Sequence, residues 1–282
     1  MSYPLYKHGK KAHTAFDVAS GLTGVYASAL TKQAIWDGLC ARRCYASTLG
    51  RVALLVKAGE YYMGEEISVD EIPELYIRVA GSAPIEKVII YDWEEKIAEK
   101  RLLPASKHRI RINWSGVVRR ARKKSADWSG MLRIENGSLL SAKAVCFDRI
   151  DQGIISQDTS KVVWRSSTSG DIDGLELDLQ FDERTILSFD TQYASFTILV
   201  SKITENAIEF DGGGENLKVE VSLASEVPCD EIEYLRSCVA ELKEDLKPLK
   251  VEKENAIWVK VLQIDGQMAW SSPIFIDKND GK

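Results

Sequence analysis

Arg42 and Arg43 are followed within a few residues by Tyr45, Ser47 and Thr48. Guanidinium groups match the oxygen geometry of phosphates, and phenol and hydroxyl groups can hydrogen-bond beside them. Arg43, Tyr45, Ser47 and Thr48 are therefore candidates for the rim of a substrate site. A plainer role competes for the arginines, because positive charge is favourable at a helix C-terminus. For Arg42 the capping role is the stronger reading; for Arg43 the two balance.

Other catalytic signatures are missing. The sequence has no G-x-S-x-G elbow, no Rossmann fingerprint and no H-E-x-x-H. It has three histidines, His8, His13 and His108, whereas divalent-metal hydrolases gather several histidines and carboxylates around their ions. His8 and His13, with Asp17 beyond them, resemble a partial ligand set but read as solvated loop residues. Cys40, Cys44, Cys146, Cys229 and Cys238 are an odd number without a C-x-x-C. They read as reduced thiols of a cytoplasmic protein. No catalytic residue, metal ligand or cofactor is assigned.

Two further features suggest binding. Residues 101–124 hold Arg101, Lys107, Arg109, Arg111, Arg119, Arg120, Arg122, Lys123 and Lys124 without an acid. Arg109 and Arg111 alternate with Ile110 and Ile112, the pattern of a strand with one wet face. Seven tryptophans, Trp114, Trp128, Trp164, Trp258 and Trp270 among them, would form a sugar platform if aligned on one face. Their scatter over separate strands fits cores and strand edges instead.

Periodicity gives the elements that carry these residues. Leu30, Ala34, Ile35, Leu39 and Ala41 have helical spacing behind a Thr31 N-cap, which predicts a helix over 30–43 and then a strand over 44–48. From about residue 51 the chain is a succession of short β-rich runs with turn signals, such as "ENG" at 135–137 and "IDG" at 264–266. "DGGGEN" at 211–216 is a turn between strands, since a strand and not a helix comes after it. Ile232, Leu235, Val239, Leu242 and Leu246 recur at helical spacing ahead of Pro248, which predicts a helix there.

With 282 residues, a formal charge of −5 and 45% hydrophobic residues, the chain has the composition of a folded domain pair. Its acidity argues against a dedicated nucleic-acid binder. No apolar run approaches the ~20 residues that cross a bilayer, and no secretory signal opens the sequence. The expected fold class is mainly β: a β-sandwich-like C-terminal region at 57–282, with a break near 125, preceded by a short α/β part at 1–56.

Several segments in order, "GLTGVYA…LTKQAIWDGLCARRCYAST", "YYMGEE", "RVAGSAPIEKVIIY", "DWSGMLRI", "VVWRSSTSGDIDGL" and "VKVLQIDGQMAWSSPIF", resemble an uncharacterised family. That family joins a PHP domain (polymerase and histidinol phosphatase) to a β-rich C-terminal extension. The resemblance implies a (β/α) barrel with His and Asp/Glu ligands for divalent metal ions and hydrolysis of phosphoesters. It also implies that residues 1–56 are the last part of the barrel, downstream of its metal ligands. On this reading the chain is the C-terminal portion of a PHP-like hydrolase, inactive alone, whose partner is a separately encoded barrel half or a second copy. In a (β/α) barrel the rim residues would lie at strand C-termini, where substrates bind. The second expectation is a stand-alone β-sandwich module that binds a polyanion or glycan.

Overall fold

A computed structural model describes residues 21–48, 51–118, 125–147, 149, 151–214, 216–246 and 254–278. The protein is mainly β, and the chain divides into two compact units. Unit 1 comprises Met1–Leu102, Glu231–Gln263 and Gln267–Lys282; unit 2 comprises Leu103–Asp230 and Ile264–Gly266.

Unit 1 begins with β1 (Leu22–Val25), α1 (Lys32–Cys40), β2 (Cys44–Ser47), β3 (Ala53–Ala58), β4 (Tyr61–Tyr62), β5 (Glu66–Val69), β6 (Leu75–Ala80), β7 (Ile85–Asp92) and β8 (Glu95–Arg101). Unit 2 carries β9 (Ala105–Ser115), β10 (Ala126–Asp127), β11 (Gly130–Val145), β12 (Gly153–Gln157), β13 (Lys161–Arg165), β14 (Ser167–Thr168), β15 (Ile172–Thr191), β16 (Ser195–Leu199), β17 (Ile208–Asp211) and β18 (Lys218–Ser225). The chain returns to unit 1 with α2 (Glu231–Ser237), β19 (Val239–Glu244), β20 (Glu254–Gln263), β21 (Met268–Ser271) and β22 (Ile274–Lys278).

In unit 1 one sheet runs β1-β2-β21-β20-β22-β5, with β7 also on β20 and β8 on β7; a second runs β19-β6-β3-β4. Only the β22–β5 pair is parallel among the described pairings. Alternation turns Leu54, Val56, Ile77 and Val79 of the second sheet and Val259, Val261, Ile274 and Ile276 of the first into a single core. This core follows from the apolar-polar alternation of the short runs. Each such aliphatic side chain contributes ~1.5–3 kcal/mol when fully buried.

Unit 2 is built on β12-β13-β11-β15-β9-β18-β17, with β16 added to β15. Both halves of the long strands β11 and β15 feed one core, in which Trp114 stacks on Trp164 at 5.1 Å. "ENG" is not a hairpin turn. β11 runs through Asn136, which adopts a left-handed φ of 56°, and stays paired with β15 on both sides of it. Residues 182–185 bulge out opposite, where the Thr185 hydroxyl donates to the Asn136 carbonyl at 2.5 Å and the Asn136 amide donates to the Arg184 carbonyl. The turn residues thus kink a continuous strand instead of ending it. "IDG" does lie in the β20–β21 turn, and "DGGGEN" in the β17–β18 turn.

The helix expected from Ile232 to Leu246 is half strand. α2 stops at Ser237 and β19 pairs with β6 along its full length. Ile232 and Leu235 are exposed, while Leu242 packs on the unit 1 core. Cross-strand pairing here overrides a weak helical period. The unit boundary falls at Leu102 and Leu103, so position 125 lies inside unit 2. Residues 21–56 likewise share unit 1 with the strands after them, because β2 pairs with β21 near the other end of the described chain. Such pairings leave no mark on local sequence.

Candidate functional site

α1 starts where the sequence predicts, with the Thr31 hydroxyl accepting from the Ala34 N–H at 3.2 Å. One face seats on β1: a Cβ on Gly38 would meet the Tyr26 carbonyl oxygen at 2.8 Å, so only glycine permits this approach. The helix ends at Cys40, and Arg42 turns the chain with a φ of 54°.

Each rim candidate has a protein partner or a packed position in this turn and the strand after it. Arg42 Nε donates to the Gly64 carbonyl at 2.8 Å, its Nη2 meets Glu66 Oε1 at 2.7 Å, and its guanidinium lies over Phe275. Arg43 Nη2 meets Glu65 Oε1 at 2.8 Å and lies over Tyr62. Tyr45 covers Gly24 and packs on the unit 1 core, its ring 6.1 Å from that of Tyr26. Burial pushes the Tyr45 phenol above its ordinary pKa. The Tyr26 phenol is pushed up by burial and by Tyr45, against an opposing effect of Arg78. Ser47 is buried at 4% exposure. The Thr48 hydroxyl donates to Gln267 Oε1 at 2.5 Å and accepts from the Met268 N–H at 2.9 Å.

The four candidates do sit together on one turn and strand. The structure gives them the work of a clasp, which ties β1, α1 and β2 to residues 62–66 and to the β20–β21 turn. Beside the clasp, Leu22, Leu30, Trp36 and Leu39 are exposed, Leu30 to 95%. Among the described strands β1 is the outer one of its sheet.

Among the described residues no group of three or more His, Cys, Asp or Glu is placed to hold an ion. His108 is 4.0 Å from Asp178, and the five cysteines form no disulfide. The described donors by themselves do not make a divalent centre; His8, His13 and Asp17 lie outside the described residues.

The basic stretch behaves differently from its pattern. Arg111 is buried rather than wet: its Nη2 donates to Glu176 Oε2 at 2.8 Å and to the Ile264 carbonyl at 3.3 Å. Arg109 also pairs with Glu176 and reaches the Ser225 carbonyl. The alternation is real, but the second face is covered, which periodicity does not reveal. Arg119, Arg120, Arg122, Lys123 and Lys124 lie outside the described residues. Trp114, Trp128 and Trp164 are core residues of unit 2. In unit 1, Trp258 stacks on Tyr91 at 4.2 Å and Trp270 lies under Lys260.

Among the described residues no helix is long and apolar enough to cross a membrane. The fold thus defines a mainly β protein with one short helix–strand unit at its front. A family model described as "Protein of unknown function (DUF3604)" matches residues 4–81, a span that contains every rim candidate. No curated protein and no solved structure matches the chain.

Proposed function

We propose that this chain is the C-terminal, β-rich portion of a PHP-like metal-dependent hydrolase acting on phosphoesters, in a reducing, cytoplasmic setting. The observation that carries the reading is the surface of residues 21–48. An outer strand, β1, lies beside a helix that seats through Gly38 and leaves Leu30, Trp36 and Leu39 outward. β1 and β2 pair antiparallel, so they are not themselves two parallel strands of a (β/α) barrel; a barrel outside this unit would instead dock on such an edge and cover such a helix. The family match at residues 4–81 falls on the same region, and five cysteines without a disulfide suit a reducing compartment.

On this reading the ions are held by barrel residues other than those described, since a hydrolytic ion needs several converging donors before it can activate water. Arg43, Tyr45, Ser47 and Thr48 then stiffen β2, which is antiparallel to both β1 and β21, rather than contact substrate. The test is elemental analysis of the purified chain together with hydrolysis of p-nitrophenyl phosphate in manganese. Substoichiometric metal and no turnover above buffer are expected. An ion retained in each chain, with turnover, would sink the reading.

A further inference from the structure

A hollow of about 590 Å³ opens on unit 2, on the side of its main sheet that faces away from the core. Its floor is set by register. Asp211 pairs with Lys218, Lys218 with Ser115, and Ser115 with Ile172 across β17, β18, β9 and β15. Alternation sends Phe210, Val219 and Trp114 into the core and leaves these four partners, with Glu209, on the outer side. The volume falls in the range of small-molecule sites.

The lining has a definite chemistry. Glu209 and Asp211 offer carboxylate oxygens; one Asp211 oxygen accepts from the Gly213 N–H at 2.8 Å, so the other can face the hollow. Lys218 is held by Glu209 Oε2 at 2.9 Å and Glu220 Oε1 at 2.6 Å. An ammonium has three N–H bonds, so one donor remains for a third acceptor. Ser115 and Asn216 add groups that both donate and accept. Val117, Ile172 and Leu217 supply apolar surface between these polar points. At Gly170, φ 103°, no atom lies within 4 Å of where a Cβ would be, so a ligand can approach the backbone.

Three classes of small ligand can be compared with this lining. Among the described residues, two carboxylates at the hollow and Glu220 behind it outnumber the single ammonium, which disfavours a phosphate or sulfate. The carboxylates among the described residues are not grouped to hold a metal ion. A neutral polyhydroxylated molecule matches: its hydroxyls donate to Glu209 and Asp211 and accept from Lys218 and Ser115, and its C–H face rests on Ile172, Val117 and Leu217. We propose that this hollow is a carbohydrate-binding site sized for a mono- or disaccharide. The proposal is independent of the PHP reading. Lys218 serves it well, because its two acid partners outweigh burial and keep it charged beyond the ordinary lysine range.

The test uses the full chain, by saturation-transfer NMR and calorimetric titration with glucose, galactose, N-acetylglucosamine, cellobiose and maltose. At least one sugar is expected to bind saturably. Glu209→Ala removes a charged acceptor and should weaken that binding about tenfold or more. Ile172→Trp should fill the hollow and abolish binding, with circular dichroism confirming that both variants fold. Failure of every sugar to saturate, or unchanged affinity in a folded variant, would overturn the proposal. So would finding that calcium chloride or inorganic phosphate binds instead and is lost in the same variants.

Discussion

Glu176 is a buried carboxylate held between two arginines. It is 6% exposed and accepts from both Arg111 and Arg109. Removing one member of a buried pair leaves the other charge without compensation, which costs about 3–5 kcal/mol. Glu176→Ala should therefore lose about that much in urea denaturation; a loss below ~1 kcal/mol would show that water reaches Arg111. Gly38→Ala opposes two effects. Alanine gains up to ~1 kcal/mol of helix propensity, but its methyl would press on the Tyr26 carbonyl and on Val25 Cγ1 at 2.9 Å. Overpacking of this kind costs ~1–3 kcal/mol, so thermal melting should move downward. For single residues the sequence was a partial guide. It placed Arg43, Tyr45, Ser47 and Thr48 side by side, but Glu65, Glu66 and Gln267, which engage this turn and strand, come from distant positions. The carbohydrate hollow was missed because "DGGGEN" identifies a turn, and nothing local shows that Ser115 and Ile172 lie across from it.

Among the elements, those with a local cause were legible. α1 was visible through its N-cap and period, and the β17–β18 and β20–β21 turns through their glycines. α2 and β19 were not, because the pairing partner that makes residues 239–244 a strand is β6. β8 carries a prediction of its own. Glu99 there meets Lys96 at 2.9 Å and Lys87 at 3.4 Å across the β7–β8 pair. Burial pushes its carboxyl up, but the Lys96 hydrogen bond and the two ammonium charges outweigh it, so its pKa lies below the ordinary value. A depressed folded-state pKa gives stability that is present above the unfolded value and lost as pH falls through the folded one. Glu99→Gln should thus be less stable than the parent at pH 7, by under about 1 kcal/mol because the pair is partly solvated. The difference should close as the pH falls below ~4. A gap that persists at lower pH would assign it to packing and not to charge.

Over the whole molecule the division into units decides what can fold alone. Unit 2 is continuous except for Ile264–Gly266, and among the described residues its core draws on those between Ile110 and Leu223. A fragment of residues 103–230 should give a cooperative melt with β-type circular dichroism; a non-cooperative profile would mean that Ile264 and its contact with Arg111 are indispensable. The β-rich class was legible in the sequence, but the interruption of one unit by another was not, since nothing in the composition changes at Leu102 or at Glu231.

Unit 1 is discontinuous, and this imposes an order of events during synthesis. The strand at the middle of its larger sheet, β20, begins at Glu254, and both β21 and β22 come later still. While the ribosome is still translating, β2, β5 and β7 lack the strands that join them into one sheet, and their apolar sides stay wet through the whole emergence of unit 2. A chain that stalls or is cut before β20 leaves those early strands as sticky edges. Nascent-chain crowding or chaperone depletion should therefore harm the first hundred residues more than the inserted unit behind them.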